Sequence, residues 1–162
     1  MRRLILGASV ACVCSFSVPL ASPPPAAPKL AFAFSPAGLL FPYYIGVAFQ
    51  LQELGLIQNS SPLGGSSAGS IVAAALACGI PERTVRAALT DLLEEVRCGA
   101  SLNAALRKQL DQLLTDDAPQ RAERHGLRVC YVEVLPRPRR CIVTEWTSKQ
   151  DLIDCIAASC NW

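Results

Sequence analysis

Leu63-Gly64-Gly65-Ser66-Ser67-Ala68-Gly69-Ser70, followed at once by the apolar run Ile71-Val72-Ala73-Ala74-Ala75-Leu76, decides how this chain reads. The segment is a Gly-x-Ser-x-Gly turn between a short strand and a helix. Such a turn lifts one serine hydroxyl out of the backbone and over the helix N-terminus. Glycine is expected at Gly65 and Gly69 because a strained turn brings neighbouring backbone too close for side chains. Ser67 is therefore the candidate nucleophile, and the amides opening the following helix are donors for a developing oxyanion. Ser66 is expected to point into the strand and Ser70 to lie in the helix. Taken alone, the pentapeptide also reads as a Ser/Gly-rich loop ending in a helix N-cap.

Some thirty residues upstream, Lys29 to Phe34 (KLAFAF) is a short apolar run suited to a buried strand. Ser35-Pro36-Ala37-Gly38 follows as a small-residue loop, and then a helical stretch running to Leu54. Strand, loop, helix, short strand, Gly-x-Ser-x-Gly, helix is an order in which the first loop can supply amides beside the serine.

With both segments in view, the sequence resembles the patatin-like phospholipase family. The resemblance is carried by FSPAGLLFPYYIGVAFQLQELGLI (34–57) and PLGGSSAGSIVAAALACGI (62–80), and it covers Lys29 onward. It implies a three-layer α/β/α fold and a Ser–Asp dyad acting on acyl esters of phospholipids or acylglycerols. The implied partners are a lipid substrate and a membrane or lipid-droplet surface, and no cofactor is expected. The family's elbow serine falls on Ser67, the elbow glycines on Gly65 and Gly69, and the glycine-rich oxyanion loop on Pro36, Ala37 and Gly38. Two of that loop's glycines are thus replaced. Proline has no N–H and alanine resists positive φ, which leaves the amides of Ala37 and Gly38 as the expected oxyanion hole.

The family's catalytic aspartate usually stands in an Asp-Gly or Asp-Ala pair well downstream. The aspartates here are Asp91, Asp111, Asp116, Asp117, Asp151 and Asp154, each in helix-like or polar surroundings, and none is read as standing in such a pair. The expectation is accordingly that the acceptor lies outside this chain, which reads as truncated before the strand that carries it. A non-catalytic remnant of the same fold, binding lipid or a partner, is the alternative. The order Ser67, Asp116 or Asp117, His125 is formally that of an α/β-hydrolase triad. His125 before Gly126 reads equally as a cap on a helix C-terminus, and that fold needs more strands than the chain holds.

Length and composition suit one domain with a core: 162 residues, 51% hydrophobic and 17% charged. A net charge of +2 without an aromatic-studded basic patch argues against nucleic acid. Arg137, Arg139 and Arg140 lie in a Pro-containing turn that reads as a solvated hairpin tip. Residues 1–22, basic then apolar, read as a targeting or membrane-anchor segment: a secretory signal, a transit peptide or a marginal span. Residues 23–28 are a stiff Pro-rich linker, and residues 29–162 are the domain. Eight cysteines without a CxxC pair suggest buried free thiols rather than a metal site.

Downstream of the elbow, Gly69 to Cys78 reads as a helix stopped by Gly79, and Pro81 opens another lined by Val85, Leu89, Leu92, Leu93 and Val96. Ser101 caps a third, broken at Asp116-Asp117-Ala118-Pro119. Leu127 to Leu135 and Cys141 to Trp146 read as strands, and Ser148 caps a final helix from Lys149 to Ser159.

Overall fold

The computed structural model describes residues 30–161. The stretches read as a targeting or membrane-anchor segment and a linker, with Cys12 and Cys14, lie outside the described residues. Four strands form one sheet in the order β1 (Phe32–Phe34), β2 (Leu63–Ser66), β3 (Arg128–Glu133), β4 (Arg139–Val143). The first three run parallel, and β4 returns antiparallel to β3 across the Pro/Arg turn. Six α-helices accompany them: α1 (Phe41–Glu53), α2 (Ala68–Ala77), α3 (Glu82–Arg97), α4 (Leu102–Leu113), α5 (Ala118–Arg124) and α6 (Lys149–Cys160). This is an α/β fold with a mixed four-strand sheet.

Both parallel connections, β1 to β2 and β2 to β3, step the same way across the sheet. Right-handed crossovers therefore put α1 through α5 on one face. The helix α6 joins them there, packing on β3, α4 and α5. Strand register explains the sidedness: Phe34, Gly65, Val129 and Val143 stand in one row across the sheet, facing the helices. Val129 is fully buried, whereas Ala33 and Arg128 of the neighbouring row are exposed. The described residues thus supply the sheet and one of the two expected helical layers.

The core is one cluster around α2, whose residues from Val72 to Ala77 are all buried. Its alanines let the flanking helices approach closely. From α6, Leu152, Ile153 and Ile156 enter the same core at no more than 1% exposure. Burial of each such side chain contributes about 2 kcal/mol. Caps fall where the sequence places them: the Ser101 hydroxyl accepts from the Ala104 amide and Ser148 from the Asp151 amide.

Three local differences from the sequence reading have physical causes. Asp116 to Pro119 ends α4 but also begins α5, with Pro119 in its first turn where a missing N–H costs nothing. Pro81 is the N-cap of α3 in extended conformation, just outside the helix it was expected to open. The strand β4 stops at Val143, because Trp146 turns into the core and its amide donates to the Glu123 carboxylate. The first helix, apolar on almost every side in sequence and so expected either to be buried or to face lipid, buries Ile45, Ala48 and Phe49 and exposes Tyr43, with Leu54 exposed at its C-cap.

Candidate active site

Ser67 stands between β2 and α2 with φ 53° and ψ −132°, and it is the one non-glycine residue of positive φ among the described residues. A side chain there costs of order 1–3 kcal/mol, a strain that persists only where the surroundings impose it. They do so through two glycines. A Cβ on Gly65 would overlap the Gly69 carbonyl oxygen and stand 2.5 Å from the Ser70 nitrogen, so the turn closes only with glycine there. Gly69 is equally confined, beneath the end of β1.

Within the turn the three serines take different places. Ser66 belongs to β2, on the same strand face as Gly64, which turns away from the helices. Ser70 is fully buried; both its amide (2.8 Å) and its hydroxyl (2.6 Å) donate to the Ser67 carbonyl. The first-turn amides of Ala68 and Gly69 have no intrahelical acceptor, and they sit at the positive end of α2.

The loop expected to supply the oxyanion hole starts directly over this turn, because the Phe34 and Ser35 carbonyl oxygens line the space beside Gly69. The Ser35 hydroxyl is tied to the Tyr44 hydroxyl at 2.7 Å, anchoring the loop to α1. Ala37 lies at φ −116° as the cap of a single 3-10 turn, Gly38–Leu40, and its carbonyl accepts the Leu40 amide. Gly38 has φ +50°, the left-handed region that glycine enters without cost. The structure therefore brings Gly65, Ser67 and Gly69 together at the C-terminal end of β2, with Phe34 and Ser35, which lead into the loop that carries Ala37 and Gly38, against Gly69.

Two residues at this corner were not singled out by sequence reasoning. The Ser67 amide donates to the Ser159 hydroxyl at 2.7 Å, and that hydroxyl donates to the Cys130 carbonyl at 2.6 Å. The Cys160 thiol lies beside the Ser67 and Ser70 hydroxyls. Burial pushes this thiol up to about 11 against the lowering effect of those hydroxyls, so it is protonated at neutral pH and takes no proton from Ser67. Ser159 is 92 residues from Ser67, and no spacing rule connects them. The only hint is the small-residue run Ala157-Ala158-Ser159, which lets the helix end approach the sheet closely.

The other candidates lie elsewhere. His125 caps the C-terminus of α5 and lines a cavity of about 440 Å³ together with Ala77, Cys78 and Gly79, at the far end of α2 from Ser67. A ten-residue helix is about 15 Å long, so the triad order in the sequence is not a triad in space. Asp117-Ala118 is an Asp-Ala pair, so the chain does contain one. It begins α5, where Asp117 is bonded by the Thr115 hydroxyl and paired with Arg121 at 3.0 Å. Those partners, Thr115 foremost, hold its carboxyl below the usual range. Asp154 is held low in the same way by Arg107 and then Gln150. Asp111 pairs with Lys149 at 2.8 Å, and Asp151 accepts from Thr147. Among the described residues, no carboxylate is a hydrogen-bond partner of Ser67.

No curated protein and no solved structure matches the chain. A family model does, and its span contains the elbow, the loop before α1 and the Ser159 contact. Over residues 32–161 the sequence fits the model for patatin-like phospholipase, and the chain belongs to that family.

Proposed function

We propose that this protein is the nucleophile-bearing part of a serine acyl hydrolase that cleaves ester bonds of phospholipids or acylglycerols. The observation that carries the reading is the positive φ of Ser67, a strained serine over a helix N-terminus with glycine compelled on both sides. In this reading Ser67 Oγ attacks the ester carbonyl, and its proton passes to an aspartate that is none of the six present. The amides of Ala37, Gly38 and Ala68 stabilise the resulting oxyanion. Collapse expels the alcohol, and water then releases the acyl group from Ser67.

A lipid surface suits the loop before α1 and the start of that helix. Leu39 is 99% exposed one residue beyond Gly38, and Leu40 and Tyr43 are exposed beside it. No charged residue occurs from Leu30 to Gln52, so nothing in this segment resists contact with lipid. No described helix is long and apolar enough to cross a membrane.

The test is ester hydrolysis by the 162-residue chain beside the same chain continued through an Asp-Gly or Asp-Ala pair of the family's kind. Ser67-dependent turnover in the second and little in the first is the expected result. Comparable Ser67-dependent turnover by both would place the base within these residues and overturn the assignment of the proton acceptor. A second reading, a lipid-binding remnant without turnover, is favoured by one observation: Pro36 has no N–H to donate where the family has glycine. Vesicle binding with no Ser67-dependent turnover in either chain would decide for it.

A further inference from the structure

We propose that Ser159, at the end of α6, is a positioning residue for Ser67. This rests on the reading of Ser67 as nucleophile but is argued from a separate contact. The Ser159 hydroxyl has one proton, and its 2.6 Å bond to the Cys130 carbonyl uses it. Its lone pairs are then the only groups it can present to the Ser67 amide, which donates to them at 2.7 Å. The hydroxyl is thereby fixed in direction by β3 before it meets the elbow. Three elements are joined at one oxygen: β3 through Cys130, α6 through Ser159, and the β2–α2 turn through Ser67.

The consequence follows from the backbone. Ser67 is held at φ 53°, a conformation a serine leaves unless its surroundings prevent it. Rotation about φ turns the Ser67 amide N–H relative to its Cα, and Ser159 holds that amide directly. Ser70 holds the other end of the same residue, since its amide and hydroxyl both donate to the Ser67 carbonyl. The nucleophile is clamped at N–H and C=O while its hydroxyl takes no part in either bond. The Ser67 amide is also committed to Ser159, which leaves the amides of Ala68, of Gly69 and of the loop before α1 as the oxyanion donors on this reading.

The experiment uses the ¹⁵N-labelled full chain, with Ser159→Ala, Ser159→Thr and Ser159→Cys. Three readouts are followed: the Ser67 amide proton shift, its hydrogen exchange, and the rate at which a fluorophosphonate labels Ser67. Thr keeps the hydroxyl, and Cys keeps the volume with a poor acceptor, so at least one informative variant survives a folding defect in Ala. In Ala and Cys the Ser67 amide proton should move upfield, exchange about tenfold faster and label about tenfold more slowly. Thr should restore wild-type values. An unchanged amide shift and exchange in both Ala and Cys would overturn the proposal, and so would a changed amide with an unchanged labelling rate. If the amide responds but wild-type Ser67 takes no label at all, the hold on the elbow stands and the hydrolase reading falls.

Discussion

Gly69 packs directly against the carbonyl of Phe34: a Cβ built on Gly69 would overlap that oxygen and stand 2.7 Å from the Ser35 oxygen beside it. The contact joins the end of the first strand to the first turn of α2. It sets the distance between the loop that carries Gly38 and the turn that carries Ser67. Gly69→Ala is therefore expected to cost about 3 kcal/mol, because backbone on both sides leaves nothing flexible to yield. For a chain of this size that is a fall in Tm of about 10 °C. Gly64→Ala is the control, since its Cβ would meet the Arg128 carbonyl oxygen at 3.4 Å, an ordinary contact. Equal melting temperatures for the two variants would contradict the packing argument.

The strain at Ser67 has its own signature in stability. Ser67→Gly relieves the positive φ, and Ser67→Ala retains it, while both remove the hydroxyl. After the entropy that glycine adds to the unfolded chain, the Gly variant should be the more stable by about 1 kcal/mol. Urea unfolding with equal m-values measures the difference. An Ala variant as stable as the Gly variant would mean that the turn is not strained.

Much of this corner was legible from local sequence. A Gly-x-Ser-x-Gly between an apolar strand and an alanine-rich helix demands close backbone, and Gly65 and Gly69 are where that backbone meets. Helix caps at Ser101 and Ser148 were equally local. What was not legible arises from long-range contacts. Ser159 and Cys160 reach the elbow only because α6 lies across β3, and the sidedness of α1 depends on which helices cover it. The helix α5 was hidden because proline both ends one helix and starts the next. The pair Asp117-Ala118 was overlooked by a reading that found no such pair, and Thr115 and Arg121 engage its carboxylate for local reasons.

The loop before α1 can be tested independently of Ser159. Gly38 lies at φ +50°, and no heavy atom stands within 4 Å of where its Cβ would be, so a Cβ there is strained by the backbone conformation and not by a neighbour. Gly38→Val should slow labelling of Ser67 by on the order of a hundredfold, the loss of one good oxyanion donor, about 3 kcal/mol. Pro36→Gly should have a small effect, since proline offers no N–H to lose. An unchanged rate in Gly38→Val would show that the hole is built elsewhere.

His125 supplies a pH dependence unconnected with chemistry at Ser67. Burial, and then the Arg124 charge, lower its pKa below the usual histidine value. Its Nδ1 is buried without a hydrogen-bond partner. The unfolded chain therefore binds a proton at a higher pH than the folded one. Stability on this account is full above about pH 6.5 and declines as the pH falls from there to the folded pKa. His125→Gln should flatten that part of the stability profile and leave labelling of Ser67 unchanged. A loss of labelling in this variant would return His125 to the candidate bases.

Ser67 as nucleophile is tested most directly by fluorophosphonate labelling of the 162-residue chain, followed by peptide mapping. An oxyanion hole and a positioned hydroxyl retain roughly 10³-fold reactivity over water even when the other catalytic groups are missing. Slow but selective labelling is therefore expected without an acceptor aspartate. The label should map to Ser67 and vanish in Ser67→Ala. A label on Ser66 or Ser70, or one undiminished in Ser67→Ala, would contradict the assignment.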